Sequence, residues 1–153
     1  MPKLLRRGFT LIELLVVIGI LAVLLTITLI AINPARQFSQ SNNTKRSSDV
    51  NAILNAIDQF AADNRGTLPG GGTIDSTVKT IGNGVGQANI CLALVTDYLA
   101  ALPVDPLTNN GIAVTDCAAA HTTNYTVTRS ATNNRITVTA PAAELTAVIS
   151  VTR

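Results

Sequence analysis

Several residue types on which enzymes and metal proteins depend are scarce in this chain of 153 residues. It has one His, two Cys and no Trp, and aromatic residues make up 3% of it. This argues against a metal centre built from His or Cys ligands. Charged residues make up only 13% of the chain, and the mean hydropathy is +0.36. A disordered chain, a strongly basic nucleic-acid binder and an ordinary cytosolic enzyme all fit these values poorly. The length allows one domain.

Apolar residues are concentrated near the N-terminus. They occupy 19 of the 24 positions in residues 9–32, and residues 14–32 contain no charge. As a helix, that uncharged run spans roughly 28 Å, enough to cross a bilayer. It exceeds the apolar region of a signal peptide and no cleavage site follows it, so we expect a retained membrane helix. Lys3, Arg6 and Arg7 precede it, which predicts a cytoplasmic N-terminus and export of the following residues.

Glu13 is the one charged residue within the apolar segment. A carboxylate at bilayer depth is costly, so it needs either a partner or a proton. One interpretation places Glu13 near the interface, where its side chain reaches water. The other gives it an opposite charge to pair with inside the apolar environment.

The sequence MPKLLRRG, followed by FTLIELLVVIGILAVL, resembles the leader and N-terminal helix of type IV pilins and type II secretion pseudopilins. The resemblance implies that a prepilin peptidase cleaves between Gly8 and Phe9 on the cytoplasmic side. It also implies methylation of the new Phe9 amine. That positive amine is a natural partner for Glu13 of a neighbouring subunit, and the pairing would select one stagger between subunits.

Cleavage would change the charge balance of the chain. Three of its 11 basic residues lie in the leader, so 8 basic residues would face 9 acidic ones. With the new amine, the net charge is about zero. General nucleic-acid binding is therefore not expected.

A second helix segment follows, because apolar residues recur at steps of three and four along one face. Gly66 is suited to end this helix, and Pro34 predicts a kink or local melting near its start. Residues 39–48 are rich in Ser and Asn, so fraying is expected there, and Lys45 and Arg46 are assigned to a solvated helix face. The apolar face comprises Val50, Ile53, Leu54, Ile57, Phe60 and Ala61.

The remaining residues predict a small exported domain. Residues 70–89 form a loop with at most one short strand, and residues 90–102 form a short helix that stops at Pro103. Alternating residues at 125–129 and 135–139 predict an antiparallel hairpin, and residues 145–152 supply another strand. We expect these strands to pack on Ile53, Ile57 and Phe60.

Together with the resemblance, these patterns predict an α+β pilin fold, in which the apolar half of a long N-terminal helix projects and the amphipathic half packs on a small antiparallel sheet. The predicted divisions are a leader (1–8), a transmembrane and filament-core helix (9–33), an amphipathic helix (34–66) and an exported globular domain (67–153).

The segment YLAALPVDPLTNNG also resembles pilin and pseudopilin domains, and such loops in some pseudopilins hold calcium. Oxygen ligands of the right type are present, but their spacing matches no EF-hand, and the same residues populate ordinary turns. No other cofactor is expected. The weak calcium candidates are Asp105, Asn109, Asn110 and Asp116.

Cys91 and Cys117 lie in the exported part, where an oxidising compartment favours a disulfide over two buried thiols. His121 is interpreted as a surface loop residue, because no nucleophile and base accompany it. We expect no catalytic site.

The expected function is a structural subunit, most simply a major pilin, that polymerises with identical copies. The resemblance implies an assembly ATPase, a membrane platform protein and minor pilins as further partners. The prepilin would wait in the cytoplasmic membrane and then enter an extracellular or periplasmic filament. Two alternatives stay open: a type II secretion pseudopilin, and a membrane-anchored extracytoplasmic binding domain that never polymerises. An anchored enzyme is a third, less supported class.

Overall fold

The computed structural model describes residues 8–153, so most of the predicted leader lies outside the described residues. The chain divides into two compact units, with the division between Phe38 and Ser39. The elements, in chain order, are α1 (Leu11–Ile32), α2 (Pro34–Asp63), β1 (Lys79–Gly82), α3 (Cys91–Leu94), a 3-10 turn (Asn109–Gly111), β2 (Thr122–Arg129), β3 (Ile136–Ala140) and β4 (Ile149–Thr152).

The first unit is built around α1, whose 22 residues are long and apolar enough to cross a membrane. Asn33 ends this helix in the left-handed conformation, with φ of 48°. Pro34 then begins α2, where its missing N–H costs nothing. The Asn33 side chain accepts a hydrogen bond from the Arg36 N–H at 3.4 Å. The predicted interruption at Pro34 is therefore confirmed. Asn33 ends α1, and its side chain also caps the first turn of α2.

In the second unit, the predicted apolar face of α2 is confirmed. Val50, Ile53, Leu54 and Ile57 are fully buried. The helix ends at Asp63, and Gly66 follows with a φ of +85°. The N–H of Gly66 donates to the Ala61 carbonyl oxygen at 2.7 Å, which satisfies an otherwise free acceptor at the helix end.

The expected fraying of residues 39–48 is wrong, because α2 is helical through this whole segment. Low intrinsic propensity is overridden here by contacts from outside the helix. Those contacts come from Asp105 and Glu144, whose geometry is given below.

The sheet has four strands in the order β1-β2-β3-β4, and every neighbouring pair is antiparallel. The predicted hairpin is confirmed, with Val127 opposite Val138 in the β2–β3 register. Val138 in turn faces Val151 of β4, which occupies the second half of the segment predicted for the last strand. The short strand allowed within residues 70–89 is β1.

The core lies between α2 and one face of the sheet. Alternate residues of β2 and β3 point inward and are buried against the helix. Phe60 packs against this core, and its ring meets the Tyr98 ring edge-on at 5.6 Å between centroids. The α+β, pilin-like arrangement is therefore confirmed. The inward-facing hydrophobic residues of β2 and β3 are Tyr125, Val127, Ile136, Val138 and Ala140.

The predicted helix over residues 90–102 is wrong in extent, since α3 covers only Cys91–Leu94. Val95 is extended and Thr96 has a φ of 81°. Both residues are β-branched and favour helix poorly. The chain turns there instead, and the Tyr98 hydroxyl donates to the Asp63 carboxylate at 3.0 Å.

Candidate functional site

The Glu13 carboxylate lies at the N-terminal end of α1. Its Oε2 accepts hydrogen bonds from the Thr10 backbone N–H and from the Thr10 hydroxyl, both at 2.8 Å. In return, the Glu13 N–H donates to the Thr10 hydroxyl oxygen at 3.3 Å. Together these contacts form a capping box, which satisfies two free N–H groups of the helix start.

Thr10 is a site residue that the sequence reasoning missed. Its signal is present in the sequence, because Thr followed three residues later by Glu before an apolar run is the capping-box pattern. The capping box holds the Glu13 carboxylate at the helix start, and the two hydrogen bonds from Thr10 satisfy part of the accepting capacity of that carboxylate.

Gly8 and Phe9 precede α1 in non-helical backbone. No atom lies within 4 Å of the position that a Gly8 Cβ would occupy, and Phe9 is 81% exposed. The bond between them is therefore open to an enzyme in the described unit. Cleavage at this bond and methylation of Phe9 stay predictions.

No residue of α1 is buried within the chain. Its exposed side chains run the length of the helix, from Leu11 at 84% to Ile30 at 77%. An apolar surface of this size requires cover from lipid or from other helices.

The segment that carries these residues matches the family of the prokaryotic N-terminal methylation motif, over residues 4–29. The match includes Gly8, Phe9 and Glu13, and it supports placing the chain among the prepilins of the type IV pilin and pseudopilin family. The motif implies processing by a prepilin peptidase and assembly into filaments. No curated protein and no solved structure matches the chain significantly.

The second unit contains a buried ion cluster centred on Arg46. The predicted solvated position of Arg46 is wrong, because its side chain has no exposed surface. Its Nε donates to Asp105 Oδ2 at 2.7 Å and its Nη2 to Asp105 Oδ1 at 3.2 Å. Its Nη1 donates to Glu144 Oε2 at 2.8 Å and to Asn43 Oδ1 at 3.0 Å. Lys45, the other half of the basic pair, is exposed as predicted.

Asp105 lies in the segment LPVDP (102–106) and is one of the weak calcium candidates. Both of its carboxylate oxygens accept from Arg46, and Oδ1 also accepts from the Leu107 N–H at 3.0 Å. The sequence shows an Asp between two Pro residues and an Arg one helical turn before Val50, but nothing in the sequence pairs them.

The other calcium candidates lie at the surface. Asn109 and Asn110 are in the exposed 3-10 turn, and Asp116 accepts a hydrogen bond from the Ala118 N–H at 3.0 Å. Among the described residues, no group of three or more His, Cys, Asp or Glu is arranged to hold a metal. Because the guanidinium of Arg46 occupies the Asp105 carboxylate, these four residues fit a calcium ion poorly.

Burial and hydrogen bonding shift the pKa values of the acids around this cluster in opposite directions. Hydrogen bonds from Arg46, and then from Asn42 and Ser39, lower the pKa of Glu144. Burial raises the pKa of Asp49, which accepts from the Tyr125 hydroxyl at 2.8 Å.

A disulfide joins Cys91 and Cys117, whose Cα atoms lie 5.5 Å apart. It ties the start of α3 to the loop before β2, in agreement with the expectation from the sequence. His121 differs from the expected surface residue: it is half-buried, and its Nδ1 lies 2.9 Å from the Ala119 carbonyl oxygen.

Proposed function

We propose that this chain is a structural subunit of a type IV pilus-like filament, most simply its major pilin. It is made as a membrane prepilin with a cytoplasmic N-terminus, and cleavage between Gly8 and Phe9 creates the mature subunit. Identical copies then bury their α1 helices against one another in the filament core. A prepilin peptidase, an assembly ATPase, a membrane platform protein and minor pilins are the partners of this process.

The observation that carries the proposal is a single carboxylate at the head of a helix that is otherwise apolar and exposed on every side. The capping box holds Glu13 on Thr10, one residue from the amine that cleavage would create. Within a filament, that amine from a neighbouring copy meets Glu13 in a setting with little water. A carboxylate and an amine compensate each other there, whereas either alone is heavily penalised.

Two alternatives use the same N-terminus. A type II secretion pseudopilin shares the motif and the pairing, and differs in the machine that assembles it. An anchored binding domain keeps residues 1–8 and stays monomeric. Enzyme function has the least support, because the buried Asp105 and the half-buried Asp49 are engaged in structural pairs with Arg46 and Tyr125.

The test is Glu13→Gln in the native host, with Thr26→Val as the matched control. Thr26 is also polar within α1, but its hydroxyl donates to its own helix at Ala22 O, 2.8 Å away. We expect both variants to enter the membrane and to lose the leader. Glu13→Gln is expected to lower the filament yield at least about tenfold, because the amine loses its opposite charge, while Thr26→Val assembles normally. Normal filament yield from Glu13→Gln would refute the pairing of Glu13 with the amine, and the absence of filaments from the wild-type chain would refute the proposed function.

A further inference from the structure

The first turns of α2 in the second unit have no apolar support. Residues 39–49 contain no hydrophobic side chain, and Val50 is the first that reaches the core. Six of these eleven residues are Ser or Asn, which compete with the helix by bonding to nearby backbone. The helicity of this segment therefore depends on polar contacts.

Arg46 also pairs with Asp105, and Lys45 donates to the Gly111 carbonyl oxygen, but the contacts of the first part of the segment converge on one residue, Glu144. Its Oε1 accepts from the Ser39 hydroxyl at 2.9 Å, and its Oε2 accepts from Asn42 at 3.0 Å and from Arg46 at 2.8 Å. Asn43 holds the Glu144 backbone, donating to its carbonyl oxygen at 2.7 Å and accepting from its N–H at 2.9 Å. The four helix residues are spaced as one stripe of successive turns, so a single loop residue bridges two turns of α2.

The loop beyond Glu144 depends on the same contacts. Leu145 and Thr146 both have a φ of 57°, and the Ala147 N–H donates to the Glu144 carbonyl oxygen at 3.1 Å. This is a tight turn that favours Asn and Gly, and it is strained for Leu and Thr. Helix and turn thus stabilise each other through Glu144.

The two acids that contact Arg46 are not equivalent. Asp105 is buried, whereas the Glu144 side chain retains 29% of its exposure. If Glu144 leaves, Arg46 keeps its two bonds to Asp105. Release of Glu144 therefore leaves the buried Arg46 charge paired with Asp105, and the Glu144 carboxylate enters water.

We propose that Glu144 is a releasable lock that decides whether residues 39–45, which precede the Arg46–Asp105 pair, are helical. With the lock closed, these seven residues form about 10 Å of helix. With it open, they lose their helical order, while Arg46 stays paired with Asp105. This inference concerns the second unit alone and holds whether or not the chain polymerises.

The test is hydrogen–deuterium exchange, read by mass spectrometry, on the full chain in detergent micelles. We expect Glu144→Ala to accelerate exchange of the amides in residues 40–45 at least about tenfold, because opening them no longer breaks the contacts to Glu144. Amides in residues 50–63, β2 and β3 should stay within about twofold of the wild-type rates. Asp97→Ala, which removes an exposed carboxylate elsewhere in the domain, is the control and should change neither set.

Asn42→Ala provides a milder variant, because it removes only one of the contacts. It should accelerate exchange in residues 40–45 by roughly threefold. Unchanged exchange in this segment for Glu144→Ala would overturn the lock. Uniform acceleration across α2 and the sheet would also overturn it, because Glu144 would then support the whole fold rather than this segment.

Discussion

Replacing Asp105 with Ala should strongly destabilise the second unit. The substitution removes the two hydrogen bonds that hold Arg46 at Nε and Nη2, and also the acceptor of the Leu107 N–H. The guanidinium has no exposed surface in the fold, so water cannot replace the lost carboxylate without opening the core. Glu144 continues to face only Nη1.

The expected cost follows from these contacts. Removing one partner of a buried ion pair costs about 3–5 kcal/mol of unfolding free energy. For a domain of this size, each kcal/mol lowers the melting temperature by about 4 °C, so we expect a decrease of roughly 12–20 °C. Asp116→Ala is the matched control, since Asp116 is exposed and bonds only its own loop. It should cost about 1 kcal/mol or less.

The assay is thermal unfolding of the full chain in detergent micelles, followed by circular dichroism. Arg46→Met combined with Asp105→Leu should recover part of the loss, because replacing both partners avoids an unpaired buried charge. A melting temperature for Asp105→Ala within about 2 °C of the wild type would show that the cluster contributes little.

Three further outcomes are expected. Replacing both Cys91 and Cys117 with Ser should cost roughly 3.5 kcal/mol, from the entropy of a loop with a 26-residue separation, and equal urea midpoints for both proteins would contradict this. The pKa of Glu144 is lowered in the fold, so the stabilisation of residues 39–45 by its carboxylate is complete above about pH 4.3 and is lost as the pH falls further; Glu144→Gln should flatten the acid-induced loss of amide protection in this segment. Gly70→Ala should destabilise more than Gly71→Ala, because both have positive φ but only at Gly70 would a Cβ lie 2.7 Å from a backbone oxygen.

Much of the fold was predictable, because the spacing of apolar residues along the sequence indicates which side chains are buried. The 3.6-residue period from Val50 to Phe60 and the alternation around Tyr125 each report one face of one element. The break before Pro34 follows from the chemistry of a single residue. Such signals are local, and the structure agrees with them.

The errors have a common physical cause. The stability of residues 39–48 and the burial of Arg46 depend on Asp105 and Glu144, which lie 59 and 98 residues away from Arg46 in the chain. Polar pairs between residues so far apart in the chain produce no periodic pattern in the sequence. Helix propensity alone therefore predicts that residues 39–48 fray and that Arg46 is exposed. For the candidate site, Glu13 was predictable because it interrupts an apolar run. The capping box that Thr10 forms with Glu13 could equally have been recognised from the sequence, although it was not predicted.

Mass spectrometry of this chain, recovered from sheared cell-surface material imaged by electron microscopy, tests polymerisation and processing together. Assembly after prepilin cleavage predicts filaments whose subunit begins at a methylated Phe9. A chain that still carries residues 1–8 and is found only as a membrane-bound monomer would contradict it.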